Sequence, residues 1–306
     1  MKILITGGAG FIGSHLAEKL AAGNEITIID NFSAGRKEFL QGVRCNIIKA
    51  DMLDQTAINK AVSGMEEVWH YAADPRVKES YSDPIGNFRQ DCLATVNVLE
   101  ACRKAGVKKF VFASSSVAYG MAKVIPTPED APIRPISNYA AAKVASENYV
   151  MSYSNLYGIK GVILRYANII GPRSTHGVTL DFYNKLKMNG KRMEILGDGT
   201  QTKSYLHVSD AVDASLLAAK RAAGPWDVFN VGSEDQVTTK QIADIVASEM
   251  GLKGVKYDYT GGSIGWPGDV PLMLLSISKL KALGWKPKYS GAEAVRMTAR
   301  GLAKKK

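Results

Sequence analysis

The sequence lacks several features that define whole classes of protein. Its three cysteines, Cys45, Cys92 and Cys102, have no C-x-x-C spacing and lie among apolar neighbours, so we expect reduced, buried thiols and no disulfide framework. No apolar run approaches the roughly 18 residues that cross a bilayer, and the apolar start at 3–5 is too short for a signal peptide. We therefore predict a cytoplasmic protein with no membrane partner.

Histidine is also scarce, and hydrolase chemistry is poorly supported. The four histidines are scattered, and none stands at ligand spacing from another histidine or a cysteine, so no metal site is predicted. The pattern G-x-S-x-G occurs at 261–265, but glycine, tryptophan and proline follow Ser263. A nucleophile elbow needs a helix directly after the serine, and these residues cannot start one well.

Basic residues outnumber acidic ones by 39 to 29, which gives a formal charge of +10. Such an excess can indicate a nucleic acid, an acidic membrane or an anionic small molecule as a partner. Residues 279–306, here called the basic segment, contain nine basic residues and one acidic residue, so they hold most of the excess. The charge identifies no ligand, and we predict no nucleic-acid partner. We expect the three terminal lysines to form a solvated end.

Short β-branched runs alternate with helical patterns in the first half of the chain. They predict strands at 2–6, 25–29, 45–49, 67–71, 110–114 and 161–166, with helices near 11–22, 54–63, 84–105 and 138–157. Most of these strands are apolar without alternation, as in a parallel sheet covered on both faces. The pattern predicts an α/β protein with a Rossmann-type doubly wound parallel sheet.

The regularity falls from about residue 171, where shorter helices are predicted near 177–189, 209–222, 238–249 and 290–302. We expect residues 1–166 to form a Rossmann-type domain to which 204–232 return. Residues 167–203 and 233–306 are expected to form a smaller mixed α/β lobe at the C-terminal end that binds the substrate.

A glycine-rich segment directly follows the first predicted strand. Gly8, Gly10 and Gly13 form G-x-G-x-x-G between that strand and a helix, where the backbone can approach a pyrophosphate at the helix N-terminus. Twenty residues after Gly10, Asp30 ends the second strand and can accept hydrogen bonds from an adenosine ribose. Its charge would repel a 2′-phosphate, which favours NAD, while two basic residues just after it leave NADP open.

The pattern Tyr-x-x-x-Lys occurs at Tyr119/Lys123, Tyr139/Lys143 and Tyr183/Lys187. In a helix it places a phenol and an ammonium group one turn apart, where the cation can lower the pKa of the phenol. Only Tyr139 opens a good helix behind a strand that ends in serines 114–116, at the sheet edge where open α/β folds bind ligands. We predict Tyr139 and Lys143 as the catalytic pair.

These residues resemble the extended short-chain dehydrogenases/reductases, and within them the NAD-dependent epimerase/dehydratase family, with archaeal-type UDP-glucose 4-epimerases as the most similar group. The resemblance covers essentially the whole chain. It rests on Tyr139 and Lys143 and on segments 6–13, 30–31, 50–51, 113–120, 165–168, 205–208 and 265–270.

The resemblance implies roles for particular residues. Tyr139 is the acid/base, Lys143 modifies its pKa and anchors the cofactor, and Ser115 bridges Tyr139 and the substrate's 4-hydroxyl group. The implied NAD contacts are Gly7, Gly10, Phe11, Ile12, Gly13, Asp30, Asn31, Phe32, Ser33, Ala34, Gly35, Asp51, Met52, Tyr71, Ala72, Ala73, Asp74, Pro75, Asp91, Tyr139, Lys143 and Ala167. The implied substrate contacts are Ser115, Tyr139, Asn168, Thr179, Glu194, Ile195, Leu196, Lys203 and Trp266.

Three positions depart from the family's pattern. Asp74 and Asp91 stand where relatives often have uncharged residues, and Trp266 stands where bacterial epimerases place a second arginine for the diphosphate. Either another cation, Lys203 or Arg173, binds the diphosphate, or Trp266 stacks on the uridine or fills the core.

The implied reaction is the redox-neutral 4-epimerisation of a UDP-sugar. Tyr139, through Ser115, removes the 4-hydroxyl proton while C4 gives hydride to NAD, and the 4-keto sugar takes the hydride back on its opposite face. A sugar dehydratase would need an Asp-Glu pair after the catalytic hydroxyl residue, where this chain has Ser116 and Val117. UDP-glucose and UDP-galactose are the first expectation, with UDP-N-acetylglucosamine and UDP-glucuronate as alternatives.

The resemblance also implies a homodimer built on the helices near 84–105 and 138–157. An alternative from another class is a non-catalytic NAD-binding protein whose basic segment holds RNA or a protein. That alternative leaves the combination of Ser115, Tyr139 and Lys143 without an explanation.

Overall fold

The computed structural model describes residues 1–304, which form two compact units. The first unit comprises 1–118, 135–165 and 215–229, and the second comprises 119–134, 166–214 and the chain from 230 onward. Residues 119–134 thus lie in the second unit, although they were expected within 1–166, and of 204–232 only 215–229 lie in the first. The last two lysines of the expected solvated end lie outside the described residues.

The strands and helices follow the predicted alternation. The strands are β1 (Lys2–Thr6), β2 (Glu25–Asp30), β3 (Cys45–Lys49), β4 (Glu67–His70), β5 (Lys109–Ser115), β6 (Lys160–Tyr166), β7 (Asn168–Ile170), β8 (Arg192–Ile195), β9 (Thr202–Lys203), β10 (Tyr205–His207), β11 (Trp226–Val231), β12 (Val237–Thr238), β13 (Lys256–Tyr259) and β14 (Leu272–Met273). The α-helices are α1 (Phe11–Leu20), α2 (Gln55–Val62), α3 (Pro84–Asn87), α4 (Ala94–Ala105), α5 (Asn138–Tyr157), α6 (Val178–Met188), α7 (Val208–Arg221), α8 (Thr239–Glu249), α9 (Ser278–Ala282) and α10 (Gly291–Ala303).

A seven-stranded sheet has the order β11-β6-β5-β4-β1-β2-β3. β1 pairs in parallel with both β2 and β4, β2 with β3, and β4 with β5. The strand order reverses at β1, and open sheets of this kind bind ligands outside the carboxyl ends of the strands at that point. The predicted Rossmann-type fold class is confirmed.

The central strands are apolar because both of their faces are covered. Ile3, Leu4 and Ile5 of β1 are each fully buried, as are Phe110 and the two residues that follow it in β5. Burial of each such side chain contributes roughly 1.5–3 kcal/mol. The prediction of three buried cysteines is wrong at Cys45, which is partly exposed because β3 is the outermost strand.

The predicted helix over 84–105 is interrupted. A π-helical turn at Phe88–Leu93 separates α3 from α4, and α5 packs against this turn. The helix α5 covers the same residues as predicted, 138–157. No helix in the described part of the chain is both long and apolar enough to span a membrane.

The second unit has its own hydrophobic core. Phe182 of α6, Ile242 and Val246 of α8 and Val295 of α10 belong to one buried cluster. β8 and β13 form a parallel pair, and β9 lies between β12 and β14 in a separate small sheet.

Candidate active site

The turn between β1 and α1 brings two backbone segments into close approach. Gly7 has a φ of 66°, and a Cβ there would lie 2.6 Å from the amide nitrogen of Ala72. A Cβ at Gly13 would collide with the carbonyl oxygen of Gly7. The helix α1 begins at Phe11 without a side-chain cap and without an acidic residue in its first turn. Its positive N-terminal end is therefore suited to an anion such as a phosphate.

Asp30 holds the loop that follows β2. Its Oδ2 accepts a hydrogen bond from the Ala9 amide at 3.0 Å, and its Oδ1 accepts one from the Phe32 amide at 2.8 Å. Burial raises the pKa of Asp30, and the two amide hydrogen bonds oppose that shift. Gly35 lies against the same carboxylate, since a Cβ there would be 3.0 Å from Oδ1. The carboxylate is fixed in place, and its remaining lone pairs can accept ribose hydroxyl groups.

The residues expected beside the adenine are also linked. Asn31 donates through Nδ2 to Asp51 Oδ2 at 2.8 Å, and the Leu53 amide donates to Asp51 Oδ1 at 2.9 Å. Ser33 donates its amide to Asn31 Oδ1 at 2.9 Å, and Met52 is buried. The structure therefore brings these predicted cofactor residues together at the carboxyl end of the sheet.

The segment 71–75 continues from β4 along the same edge. The amides of Tyr71 and Ala72 donate to the carbonyl and hydroxyl oxygens of Thr6, at 3.0 and 3.2 Å. Asp74 forms an ion pair with Arg76 at 2.7 Å. Burial alone would raise the pKa of Asp74, but the hydrogen bonds and the charge of Arg76 hold it below its usual value. The negative charge of Asp74 is thus partly balanced within the loop.

The three serines at the end of β5 have different environments. Ser114 is buried and donates its hydroxyl to Glu147, and Ser116 is 8% exposed at the start of a 3₁₀ turn. Ser115 is partly exposed, and its Oγ accepts a hydrogen bond from the Val117 amide at 3.4 Å. Of the three, Ser115 has the hydroxyl best placed for a ligand.

Tyr139 and Lys143 lie in the first turns of α5. Ser137 caps this helix by accepting the Ala140 amide at 3.2 Å. Lys143 is 3% exposed, and its Nζ donates to the carbonyl oxygen of Ala113 at 3.1 Å. The same Nζ lies 5.6 Å from the centre of the Tyr139 ring. The predicted pair therefore forms one cluster at the end of β5.

The groups of the chain itself raise the pKa of Tyr139. Burial raises this pKa above its ordinary value, and the charges of Asp91 and Asp74 raise it further. Burial also lowers the pKa of Lys143, while Asp91 and Glu147 oppose that change. Burial and the two carboxylates therefore oppose formation of the phenolate.

A buried ion pair beside the cluster was not predicted. Glu147 accepts from Arg165 Nη2 at 2.7 Å and from Nε at 3.0 Å, and both residues are buried. Because Ser114 also bonds to Glu147, the pair joins α5, β5 and β6. Its one sequence signal is that Glu147 follows Lys143 by four residues on the same helix face.

The second unit contains the residues expected to contact the nucleotide sugar. Thr179 is 2% exposed, and its hydroxyl has no partner among the described residues. Asn168 donates through Nδ2 to the Ser204 carbonyl at 3.0 Å. In the segment 194–196, Ile195 is fully buried in the hydrophobic core, whereas Leu196 is 37% exposed. The hydroxyl of Thr179 is therefore available for a hydrogen bond to a ligand oxygen.

The candidate diphosphate residues also lie in the second unit. Lys203 Nζ forms an ion pair with Asp269 Oδ1 at 2.6 Å, and Asp269 Oδ2 accepts the Gly265 amide at 3.1 Å. Trp266 is partly exposed, so it does not simply fill the core. Arg173 has a φ of 68°, in the left-handed region.

The other motifs lack a catalytic setting. Tyr119 is buried and donates its hydroxyl to Asn230 Oδ1 at 2.7 Å, which gives it a structural role. Lys187 is exposed on α6. Ser263 lies in an exposed loop that leads into no helix before α9. Among residues 1–304 no group of three or more metal-ligating side chains comes together.

Comparison with known proteins decides between the enzyme families that share this fold. The model of the NAD dependent epimerase/dehydratase family matches residues 3–232. A UDP-glucose 4-epimerase from Mycolicibacterium smegmatis is 34% identical, over 97% of each chain. This chain belongs to the NAD-dependent epimerase/dehydratase family.

Solved structures agree with that assignment to the epimerase/dehydratase family. A crystal structure of a UDP-galactose 4-epimerase is 44% identical, with a TM-score of 0.91 over 99% of both chains. A UDP-N-acetylglucosamine 4-epimerase from Methanobrevibacter ruminantium M1, in complex with UDP-N-acetylmuramic acid, is 31% identical, with a TM-score of 0.89 over 100% of this chain and 99% of that one. The family is enzymatic and uses NAD.

The residues of this epimerase/dehydratase family member fit an NAD molecule. The uncapped end of α1 is suited to the pyrophosphate, and the turn at Gly7 and Gly13 leaves no room for side chains. The fixed carboxylate of Asp30 suits a ribose without a 2′-phosphate.

The basic segment of this family member is not a uniform positive surface. Lys281 pairs with Glu234 and Lys288 with Asp213, each at 2.6 Å, and Arg300 pairs with Glu249 at 2.9 Å. Acidic side chains elsewhere in the second unit thus offset part of its charge. This pairing gives no support to the alternative of an RNA-binding protein.

Proposed function

We propose that the protein is an NAD-dependent 4-epimerase that interconverts UDP-glucose and UDP-galactose. The observation that carries this proposal is the position of Lys143, whose Nζ lies 5.6 Å from the centre of the Tyr139 ring and donates to the carbonyl of Ala113, two residues before Ser115 at the end of β5. The next two residues after Ser115 are the buried Ser116 and the apolar Val117, so no neighbouring acid and base could eliminate water from the sugar.

Each residue of the cluster has one task in this proposal. NAD, when bound, supplies the acceptor and donor of the C4 hydride. Ser115 hydrogen-bonds the 4-hydroxyl group, and the proton leaves that group for Tyr139 and later returns. Lys143, held by the Ala113 carbonyl, keeps a positive charge near the phenol ring. That charge offsets part of the cost that burial and Asp91 impose on the phenolate.

The second unit is proposed to bind the nucleotide part of the substrate. The unpartnered hydroxyl of Thr179 can donate to a ligand oxygen, and the partly exposed indole of Trp266 can stack on the uracil ring. Lys203 is the proposed diphosphate cation, held ready by Asp269. UDP-N-acetylglucosamine and UDP-glucuronate remain the alternative substrates. A relative with this fold is a UDP-N-acetylglucosamine 4-epimerase.

A parallel assay tests the proposal. The purified protein is denatured to identify any released dinucleotide, and the native protein is incubated with UDP-glucose, UDP-N-acetylglucosamine and UDP-glucuronate. We expect released NAD and conversion of UDP-glucose to UDP-galactose by proton NMR. Faster conversion of another sugar would replace the proposed substrate, and loss of the 6-hydroxyl group would show a dehydratase.

We also propose that the protein is a homodimer whose interface is formed by α3, the π-helical turn at Phe88–Leu93, α4 and α5. Exposed apolar side chains support this proposal: Ile85 is 69% exposed, Phe88 50%, Tyr149 45% and Leu156 69%. Side chains of this type in one region of a monomer mark an interaction surface.

The substitution Ile85→Glu tests the dimer. A buried, unpaired carboxylate in the interface costs several kcal/mol, so we expect a monomer in light scattering after size-exclusion chromatography. Met188→Glu is the matched control, because Met188 is 89% exposed on α6 of the second unit. A wild-type protein that is monomeric at all concentrations would contradict the proposal.

A further inference from the structure

Asp91 is a buried carboxyl group whose charge has no role in the scheme above. It is 1% exposed and lies within the π-helical turn at Phe88–Leu93. No lysine or arginine of residues 1–304 forms an ion pair with it. A charge buried in this way is costly and is usually retained for a function, and π-helical turns are frequent at functional sites.

The π-helical turn fixes the position of Asp91 against α5. Its carbonyl oxygen accepts hydrogen bonds from Thr95 Oγ1 and from Ser146 Oγ, at 2.5 and 3.2 Å. Ser146 lies three residues after Lys143, on a neighbouring part of the same helix. Asp91 Oδ1 accepts the Asp74 amide at 2.8 Å. The backbone of Asp91 is thus anchored to α4 and α5, and its carboxyl group is anchored to the segment 71–75.

Asn87 allows both protonation states of Asp91. Its Nδ2 lies 2.5 Å from Asp91 Oδ2, whereas its buried Oδ1 has no partner among the described residues. This orientation suits an ionised carboxylate. Rotation of the amide by half a turn would place Oδ1 against Asp91, where it can accept a hydrogen bond only from a protonated carboxyl group.

We propose that Asp91 is a positioning residue whose charge sets the pH range in which Tyr139 and Lys143 act. This inference rests on the proposed function. When ionised, Asp91 opposes the phenolate of Tyr139 and stabilises the ammonium form of Lys143. When protonated, it withdraws both effects, so both members of the pair lose protons at lower pH.

Other charged groups around Asp91 are already balanced. Glu147, which also faces Lys143, is paired with Arg165, and Asp74 is paired with Arg76. His70 lies behind the cluster between two threonine hydroxyl groups, and burial and the charge of Lys143 lower its pKa to about 3, so it stays neutral. Burial, opposed by Lys143, raises the pKa of Asp91 to about 6. Asp91 is therefore the group near the pair whose charge changes close to neutrality.

The test compares the wild-type holoprotein with Asp91→Asn, and Asp54→Asn serves as the matched control. Asp54 caps α2 from the surface, and asparagine is an equally good cap. With carbon-13 in the aspartate carboxyl and lysine ε positions, NMR should show one carboxyl group titrating near pH 6 that Asp91→Asn lacks. The Lys143 signal in Asp91→Asn should titrate about one pH unit lower.

Epimerisation rates supply the second readout. Both limbs of the pH profile should move to lower pH in Asp91→Asn by about one unit, whereas Asp54→Asn keeps the wild-type profile. A purely structural role would lower the rate equally at every pH and leave both limbs in place, which would overturn the proposal. If no UDP-sugar is converted, the proposed function fails, and the NMR titration of Lys143 still decides whether Asp91 controls the pair.

Asn87→Ala keeps the proposal testable if Asp91→Asn does not fold. The Asn87 amide lowers the pKa of Asp91, so its removal should move the carboxyl titration to higher pH. Because Asp91 then stays neutral over a wider pH range, the acid limb of the rate profile should move to lower pH, in the same direction as in Asp91→Asn. An unchanged carboxyl titration in Asn87→Ala would also count against the proposal.

Discussion

The helices α5 and α6 both carry a Tyr-x-x-x-Lys pair, yet only one of them forms a candidate catalytic site. On α5, Lys143 is 3% exposed and bonded to the end of β5. On α6, Lys187 is exposed and Tyr183 packs against the core of the second unit. The same spacing thus places two side chains on one helix face in both cases. Burial and the neighbouring strand decide which pair can perform chemistry.

The largest expected effect separates the two tyrosines. Tyr139→Phe removes the proposed acid/base and should lower the turnover of UDP-glucose by about 10³-fold, while NAD remains bound. Tyr183→Phe should keep nearly wild-type turnover, because its hydroxyl belongs to no catalytic cluster. Steady-state rates and the NAD content of both variants check this prediction. Near-normal turnover in Tyr139→Phe would contradict the role of Tyr139 as the acid/base and would leave no functional difference between the tyrosines of α5 and α6.

A second contrast concerns ion pairs on the two helices. Glu147→Gln would leave the buried guanidinium of Arg165 uncompensated, so we expect a loss of about 3 kcal/mol in the free energy of unfolding. Asp181→Asn on α6 breaks a surface pair with Lys185, and its cost should stay below about 1 kcal/mol. Urea denaturation of both variants gives the two values. Equal losses in the free energy of unfolding would mean that burial does not determine how much the Glu147–Arg165 ion pair contributes to stability.

A smaller effect depends on pH. The folded-state pKa of Asp91 is raised to about 6 from 3.8, so its favourable contribution to stability is full below pH 3.8 and is lost as pH rises through about 6. Asparagine does not ionise, so Asp91→Asn does not lose stability in this way as the pH rises. Its stability relative to the wild type should therefore increase by about 2 kcal/mol between pH 4 and pH 7.

Urea midpoints at several pH values measure this difference, and Asp54→Asn should show no such trend. A constant difference between Asp91→Asn and the wild type across this range would mean that the pKa of Asp91 is ordinary. The surroundings of the Tyr-x-x-x-Lys pair on α5 would then differ from those on α6 in packing, but they would contain no carboxyl group with a raised pKa.

Much of the fold could be predicted from local patterns. The glycines before α1, the apolar strands and the full extent of α5 follow from periodicity and from turn residues, which are properties of short segments. The π-helical turn at Phe88–Leu93 could not be predicted in this way, since its apolar and polar residues also fit a continuous helix. What sustains it is the packing of α5 and the hydrogen bonds to Asp91.

The candidate site divides along the same line. The sequence by itself determined that Asp30 and Ser115 end strands of a parallel sheet and that Tyr139 and Lys143 share a helix face, because the alternation of strands and helices and the spacing within a helix are local properties. Only the tertiary structure decided which serine is accessible, that Lys203 is paired with Asp269, and that burial and two carboxylates raise the pKa of Tyr139. Burial and electrostatic fields depend on residues distant in the chain, and a motif contains no information about them.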